Sequence, residues 1–315
     1  MGRSVAAMLT VVVVALVTSP LIVRAHAAKQ VTPSVTTAAS AARTSASSIP
    51  IGTSAMAAAP MAAARDSAVL VAALQSLVAD SGAAVSVTVV ELGGSDRLTW
   101  SLDGGVVFTA ASTYKLVALM MEAQNIASGS TDPNGLVCYQ DSDYEAGWFD
   151  DYAAGECFTR NELASRAGQQ SDNIAGHMLV RDVGGVDALN AWAASVGATD
   201  SAFSDPNTTT AADLAVLWTA EANGSLGGAS AQAWLYPLLI GTTTEAGVPA
   251  GVSGSTVVHK TGAIDAVEND AALVTSGPDG PYVVVVMTDG LGGAAGWGLI
   301  ASISATVWQT EASRI

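Results

Sequence analysis

Three short polar clusters in this chain have residue types and spacings that can do chemistry. Ser112 and Lys115 lie three residues apart at the start of the apolar run 108–121. On an α-helix, residues i and i+3 share a face, so the hydroxyl and the amine project together from one turn. A serine hydroxyl is a poor nucleophile at neutral pH, and a neighbouring amine can take its proton. A helix start disfavours the protonated amine through its dipole and offers free N–H groups to a developing oxyanion. Ser171-Asp172-Asn173 follows on the link between two helical segments, and Lys260-Thr261-Gly262-Ala263 closes a strand-like run. Singly, these are a capped helix with an incidental lysine, a second helix cap and a strand end. Jointly and in this order, those separate readings become improbable. Rival chemistries have no footing. The chain has no G-x-S-x-G, H-E-x-x-H or C-x-x-C, and none of His26, His177 and His259 has a sequence neighbour that suggests a triad. The glycine-rich stretch 290–295 has no room after it for the strand and ribose-binding acid of a dinucleotide site.

In that order the three clusters resemble the active-site set of class A β-lactamases and penicillin-binding proteins. The resemblance covers roughly residues 66–312. It includes Cys157-Phe158-Thr159-Arg160-Asn161-Glu162-Leu163 ahead of the second cluster, and Asn207-Thr208-Thr209-Thr210-Ala211, close to the family's D-T-T-T-P segment. The resemblance implies Ser112 as nucleophile, Lys115 as proton acceptor and Ser171 as the shuttle to the leaving nitrogen. It implies that Asn173 holds the acylamino side chain and steadies Lys115, and that Lys260 and Thr261 hold a substrate carboxylate. The N–H groups of Ser112 and Ala263 would form the oxyanion hole, with Gly262 permitting close approach. The substrate would be a small-molecule β-lactam or a peptidoglycan peptide, taken by a monomer with no cofactor, no metal and no nucleic-acid partner.

One departure matters. Class A β-lactamases carry a glutamate, on a long loop before the D-T-T-T segment, that activates the water releasing the acyl-enzyme. Residues 186–206 contain no glutamate, and Asn207 stands where the segment begins with aspartate. Asp200 and Asp205 are the candidates left to position water, each one methylene shorter. The salt bridge usual in the family's loop is also unavailable, since no Arg or Lys occurs between Arg181 and Lys260; nor is there an Arg after the third cluster until Arg314, so carboxylate binding rests mainly on Lys260. Acylation is expected to be intact and deacylation slow. Three readings remain open: a β-lactamase-like hydrolase, a D-Ala-D-Ala carboxypeptidase or related peptidoglycan peptidase, and a binding protein for β-lactams or wall fragments without efficient turnover.

The elements that must position these residues follow from pattern. Helical spacing covers 66–80, alternation marks a strand at 83–91, and Gly93-Gly94-Ser95-Asp96 reads as a turn into a strand at 97–102. Thr159-Arg160-Asn161-Glu162 is a capping box opening a helix to about residue 170. Further helices are expected at 173–181, 186–195, 210–221 and 230–240. The segment 187–190 mimics the family's E-x-x-L-N but reads as helix surface. Strands at 255–261, 271–276 and 281–288, with a turn at 277–280, precede a closing helix at 294–309. The expected fold is α+β of three-layer α/β/α type: an antiparallel five-stranded sheet covered by helices, plus an all-α lobe, with the cleft between lobes.

Residues 1–27 read as a signal peptide: Arg3, an uncharged and mostly apolar run 5–23, then Ala25-His26-Ala27 as cleavage site. An uncleaved anchor is the rival; with cleavage, no stable membrane span remains and the protein is secreted. Residues 28–65, rich in Ala, Ser, Thr and Pro, read as a disordered linker, leaving 66–315 as the hydrolase domain. All 28 acidic residues lie from Asp66 onward, against seven basic ones, a net charge of −21 that repels nucleic acid and anionic membranes. Cys138 and Cys157, the only cysteines, bracket a polar loop and in an exported chain are expected to form a disulfide. Within it, 141–152 resembles a calcium loop, but its glycine is one place late and position twelve is Tyr152. Tyr144, Trp148 or Phe149 could line the cleft beside Ser112, or simply pack.

Overall fold

The structure, a computed structural model, describes residues 58–94 and 97–314. The expected signal peptide, the linker up to residue 57, and Ser95 and Asp96 of the expected turn lie outside these residues. In chain order the elements are α1 (Ala58–Ser81), β1 (Ala84–Glu91), β2 (Thr99–Leu102), β3 (Val107–Thr109), a 3₁₀ turn (Ala111–Thr113), α2 (Tyr114–Ala127), β4 (Leu136–Cys138), a second 3₁₀ turn (Asp141–Asp143) and β5 (Cys157–Thr159). Then come α3 (Arg160–Gln169), α4 (Asn173–Asp182), α5 (Val186–Val196), β6 (Thr208–Thr210), α6 (Ala211–Ala222), α7 (Gly228–Leu235), β7 (Val257–Ile264), β8 (Val267–Gly277), β9 (Gly280–Asp289) and α8 (Ala294–Ala312).

Five strands form one antiparallel sheet in the order β2-β1-β9-β8-β7. The fold is α+β, with helices on both sides. β9 states the reason in its sequence. Val283, Val285 and Met287 enter one core with Leu116 and Leu119 of α2 and Leu214 and Leu217 of α6. Tyr282, Val284 and Val286 enter a second core with Leu70 and Leu74 of α1 and Ile300, Ile303 and Val307 of α8. A strand buried on both faces reads as a continuous apolar run, and each fully buried Val or Leu contributes about 1.5–3 kcal/mol. The sheet is clamped from both sides, and its edge strand β7 carries the third polar cluster.

The caps fall where the sequence puts them. Thr159 Oγ1 accepts from Glu162 N (3.1 Å), and Thr210 Oγ1 accepts from Asp213 N (3.0 Å). Several expectations change. The described part of α1 is already helical at Ala58, inside the segment expected as linker, where the alanines of 58–64 favour helix. β3 was not anticipated: its three residues pair with β6, Phe108 opposite Thr209, too short a run to leave a period. Ser112 lies in the 3₁₀ turn before α2, not in the α-helix proper. Leu189 is fully buried, and Asn190 is no surface residue: its Oδ1 accepts from Phe203 N (2.7 Å) and its Nδ2 donates to Phe203 O (3.0 Å).

Cys138 and Cys157 face each other across the β4–β5 pair and form a disulfide. Closing a loop of this length restricts the unfolded chain by about 3 kcal/mol. Replacing both cysteines by serine should lower the unfolding free energy by about that amount in a urea titration, with the Ser112 site still reactive.

Candidate active site

Ser112 is held by backbone contacts from three directions. Ala110 N donates to Asn207 O (2.9 Å) and Asn207 Nδ2 donates to Ala111 O (3.1 Å). Asn269 Nδ2, from β8, donates to Thr109 O (2.9 Å). Ala111 adopts φ +49°, a left-handed conformation that non-glycine residues pay to adopt. From β7, Gly262 presses on the same turn: a Cβ there would stand 2.7 Å from Ala110 O and 3.0 Å from Ser112 N. A larger residue at 262 would push the strand away, and with it Ala263, which lines the cleft beside Ser112.

Lys115 gathers the clusters. Its Nζ lies 2.9 Å from Ser112 Oγ, 2.7 Å from Ser171 O and 2.7 Å from Asn173 Oδ1. Ser171 Oγ stands between two amines, 3.0 Å from Lys260 Nζ and 3.5 Å from Lys115 Nζ, and Ser171 is itself left-handed (φ 59°). Lys260 Nζ also donates to Thr261 O (2.8 Å). Asp172, between the two cleft residues of its cluster, points inward: it caps α4 through Ala175 N (2.8 Å) and accepts from Tyr152 Oη (2.9 Å) and Trp148 N (3.1 Å). Gly176 on α4 makes room for the amine, since a Cβ there would meet Lys115 Cε and Tyr114 Oη, each at 2.7 Å.

Burial lowers the Lys115 pKa to about 8, although Glu145 and Asp172 pull it back up. Burial, with the neighbouring Lys115 charge, holds Lys260 well below the ordinary lysine value. A neutral amine has two hydrogens and one lone pair. Ser171 O and Asn173 Oδ1 are fixed acceptors that take the two hydrogens, which aims the lone pair at the Ser112 hydroxyl. The hydroxyl opens on a cleft of about 320 Å³ that also contains Glu145, Asn173, His177, Asn207 and Ala263. Two larger cavities, about 530 and 540 Å³, lie between the sheet and α6, and neither is lined by a lysine or a histidine. Among the described residues no three His, Cys, Asp or Glu side chains group as a metal set would.

Residues 69–310 match the Beta-lactamase enzyme family. The chain belongs to that family. Among solved structures it is similar to PBP-A (25% identity, 75% of this chain and 94% of that one, TM-score 0.69). It is equally similar to a β-lactamase from Sphaerobacter thermophilus (25% identity, 78% and 97%, TM-score 0.69). A mutant of PBP-A in an acyl-enzyme complex with penicillin G matches at 26% identity, over 76% and 95%, with TM-score 0.70. No curated protein matches the chain. The fold and family make this a serine hydrolase of the β-lactamase and penicillin-binding-protein type.

Within the family frame, the segment before Asn207 behaves differently from expectation. Its residues at the cleft are Ser204 and Asn207. Asp200 and Asp205 are exposed and outside the lining. The carboxylate that does line the cleft is Glu145, from the loop between the two cysteines, which sequence reading passed over. Of the three aromatic candidates, Phe149 stacks on Arg166 (4.3 Å), and Tyr144 and Trp148 are exposed outside the lining. His259 has partners after all: Asp270 Oδ1 at 2.9 Å from Nδ1 and Glu245 Oε1 at 3.1 Å from Nε2. Burial alone would depress its pKa, but the two carboxylates outweigh that and raise it to about 9. Alternation along β7 turns His259 away from Lys260, so this buried cation braces the 245–252 connection, with Asp270 also accepting from Val248 N (2.8 Å).

If the neutral Lys115 amine is the base, the rate of Ser112 acylation rises as the amine loses its proton. The second-order acylation rate should climb with pH through an apparent pKa near 8 and level off above it. Lys115→Arg, which stays protonated, should abolish the climb in a stopped-flow pH series.

Proposed function

We propose that the protein is an exported acyl-enzyme-forming hydrolase acting on a β-lactam amide or on the chemically related terminal peptide of peptidoglycan. The observation that carries this is the Lys115 amine, 2.9 Å from Ser112 Oγ, with Ser171 O and Asn173 Oδ1 each 2.7 Å away as acceptors for its hydrogens. In the proposed reaction Ser112 Oγ bonds to the carbonyl carbon and its proton passes to Lys115. Charge on the carbonyl oxygen is met by the Ser112 and Ala263 N–H groups. The C–N bond then breaks, and the proton reaches the leaving nitrogen through Ser171, which contacts both amines. Thr261 meets a substrate carboxylate at the β7 edge; Lys260, expected to hold it too, is buried with its amine on Ser171 Oγ and Thr261 O and serves the proton relay, and Asn173 contacts the acyl side. Water later cleaves the ester.

The exposed positions of Asp200 and Asp205 favour slow release of the acyl group, which keeps a second reading in play: a peptidase or β-lactam-binding protein in which β-lactams are poor substrates. The Cys138–Cys157 disulfide and the leader-like residues 1–27 support an extracytoplasmic location. Among the described residues, no helix is long and apolar enough to cross a membrane.

A fluorescent penicillin should label the wild-type protein in a 1:1 ratio, with the adduct on Ser112 by peptide mass mapping. Ser112→Ala should lose the label completely. A chromogenic cephalosporin should give a burst of one equivalent followed by slow turnover; the absence of any adduct would rule the reading out.

A further inference from the structure

Glu145 is the one carboxylate in the lining of the Ser112 cleft, which it shares with Asn173, His177, Ser204 and Asn207. It comes from the loop between Cys138 and Cys157, and that loop is pinned on both sides of it. Asp143 accepts from Arg181 Nε (2.9 Å) and Nη2 (2.8 Å), and Trp148 N donates to Asp172 (3.1 Å). Glu145 Oε1 accepts from Asn173 Nδ2 (3.0 Å), and Oε2 lies 3.2 Å from His177 Nε2. The imidazole is itself placed: Nδ1 lies 3.2 Å from Asp143 O, and the ring stacks on Tyr114 with centroids 6.3 Å apart. The charge of Glu145 reaches the reacting groups. Burial lowers the proton affinity of Lys115, and Glu145 is the strongest charge acting against that.

Asn173 offers two amide hydrogens, one to Glu145 and one to Ala146 O (3.1 Å). Ala146 O belongs to the pinned backbone, whereas the Glu145 side chain is half exposed and free to turn. An acyl-side carbonyl arriving at Asn173 therefore takes the hydrogen now on Glu145. Glu145 Oε1 then faces the acylated cleft without a donor, while Oε2 keeps His177. An ionised carboxylate can only accept, so the donor that Oε1 takes next is a water hydrogen beside the new ester.

We infer that Glu145 is the general base that activates water to release the acyl group from Ser112, with His177 as the residue that positions it. This rests on the reading of Ser112 as the acylated residue. The water oxygen bonds to the ester carbonyl carbon as its proton passes to Glu145. The bond between that carbon and Ser112 Oγ then breaks, and the proton is returned to Ser112 Oγ. The acid product leaves, and Glu145 takes back the Asn173 hydrogen. A base that must first give up Asn173 works below a dedicated one, in keeping with slow turnover.

The test loads the full chain with a penicillin and follows formation and loss of the adduct separately by intact mass. Glu145→Gln removes the base and keeps an oxygen for Asn173. Acylation of this variant should run at least as fast as in the wild type, because losing the charge eases loss of the Lys115 proton. Loss of its adduct to water should slow by about 100-fold. Hydroxylamine attacks through a free nitrogen lone pair, with no proton to shed first, and should strip the adduct from both proteins at equal rates. Water release that is unchanged in Glu145→Gln overturns the inference and leaves the water to another base. Acylation or hydroxylamine release that falls in parallel also overturns it, since Glu145 then only holds the cleft in shape. Both results leave Ser112 acylation standing. Absence of any adduct on wild-type Ser112 overturns the inference together with the reading it rests on.

Discussion

Two lysine amines, Lys115 and Lys260, are buried within reach of one serine hydroxyl, Ser171 Oγ. Charged amines resist that placement: each loses its hydration, and each repels the other. Both costs fall when the amines shed protons, so the same burial that is unfavourable for structure produces bases at moderate pH. The surrounding chain is arranged to make the burial tolerable. Ser171 O, Asn173 Oδ1 and Thr261 O give the amines acceptors, and Glu145 and Asp172 restore part of the affinity for a proton.

Holding that arrangement demands rigid elements at close quarters. The doubly buried sheet fixes β7, and Gly262 lets it press against the 3₁₀ turn that bears Ser112. Gly176 lets α4 lie against the Lys115 side chain. Asn207, in place of the family's aspartate, ties the turn through its own backbone and side chain, so the missing ion pair does not leave Ser112 loose. The segment 186–206 is tucked in through Asn190 and Phe203 and sends Ser204, not an acid, to the cleft. Ser112, Lys115, Ser171 and Asn173 are thus assembled to hydrogen-bond precision, and the segment 186–206 sends no carboxylate to the cleft.

Much of this was legible in the sequence because it is local. The i, i+3 spacing of Ser112 and Lys115, the Thr159 and Thr210 caps and the turn at 277–280 are set by residues a few positions apart, and they leave periods and signatures. What was not legible is long-range. Glu145 reaches Asn173 across 28 residues from a loop with no period. His259 meets Asp270 across a hairpin, and its face of β7 follows from a register that no single strand reveals. β3 pairs with β6, which also bridges to Ala202, and all of these partners are distant or irregular in sequence. The helix over 58–65 was not legible for another reason: alanine-rich composition suits both a linker and a helix, and composition alone does not choose.

The state of one amine is the most direct test. Lysine side chains carrying an NMR-visible isotope at Cε can be titrated individually, with Lys115→Arg assigning the signal. The Lys115 resonance should titrate near 8, in a protein that remains folded across the series. A titration at the ordinary lysine value of 10.5 would mean that burial does not weaken this amine's hold on its proton, and the account of Ser112 as a primed nucleophile would be wrong.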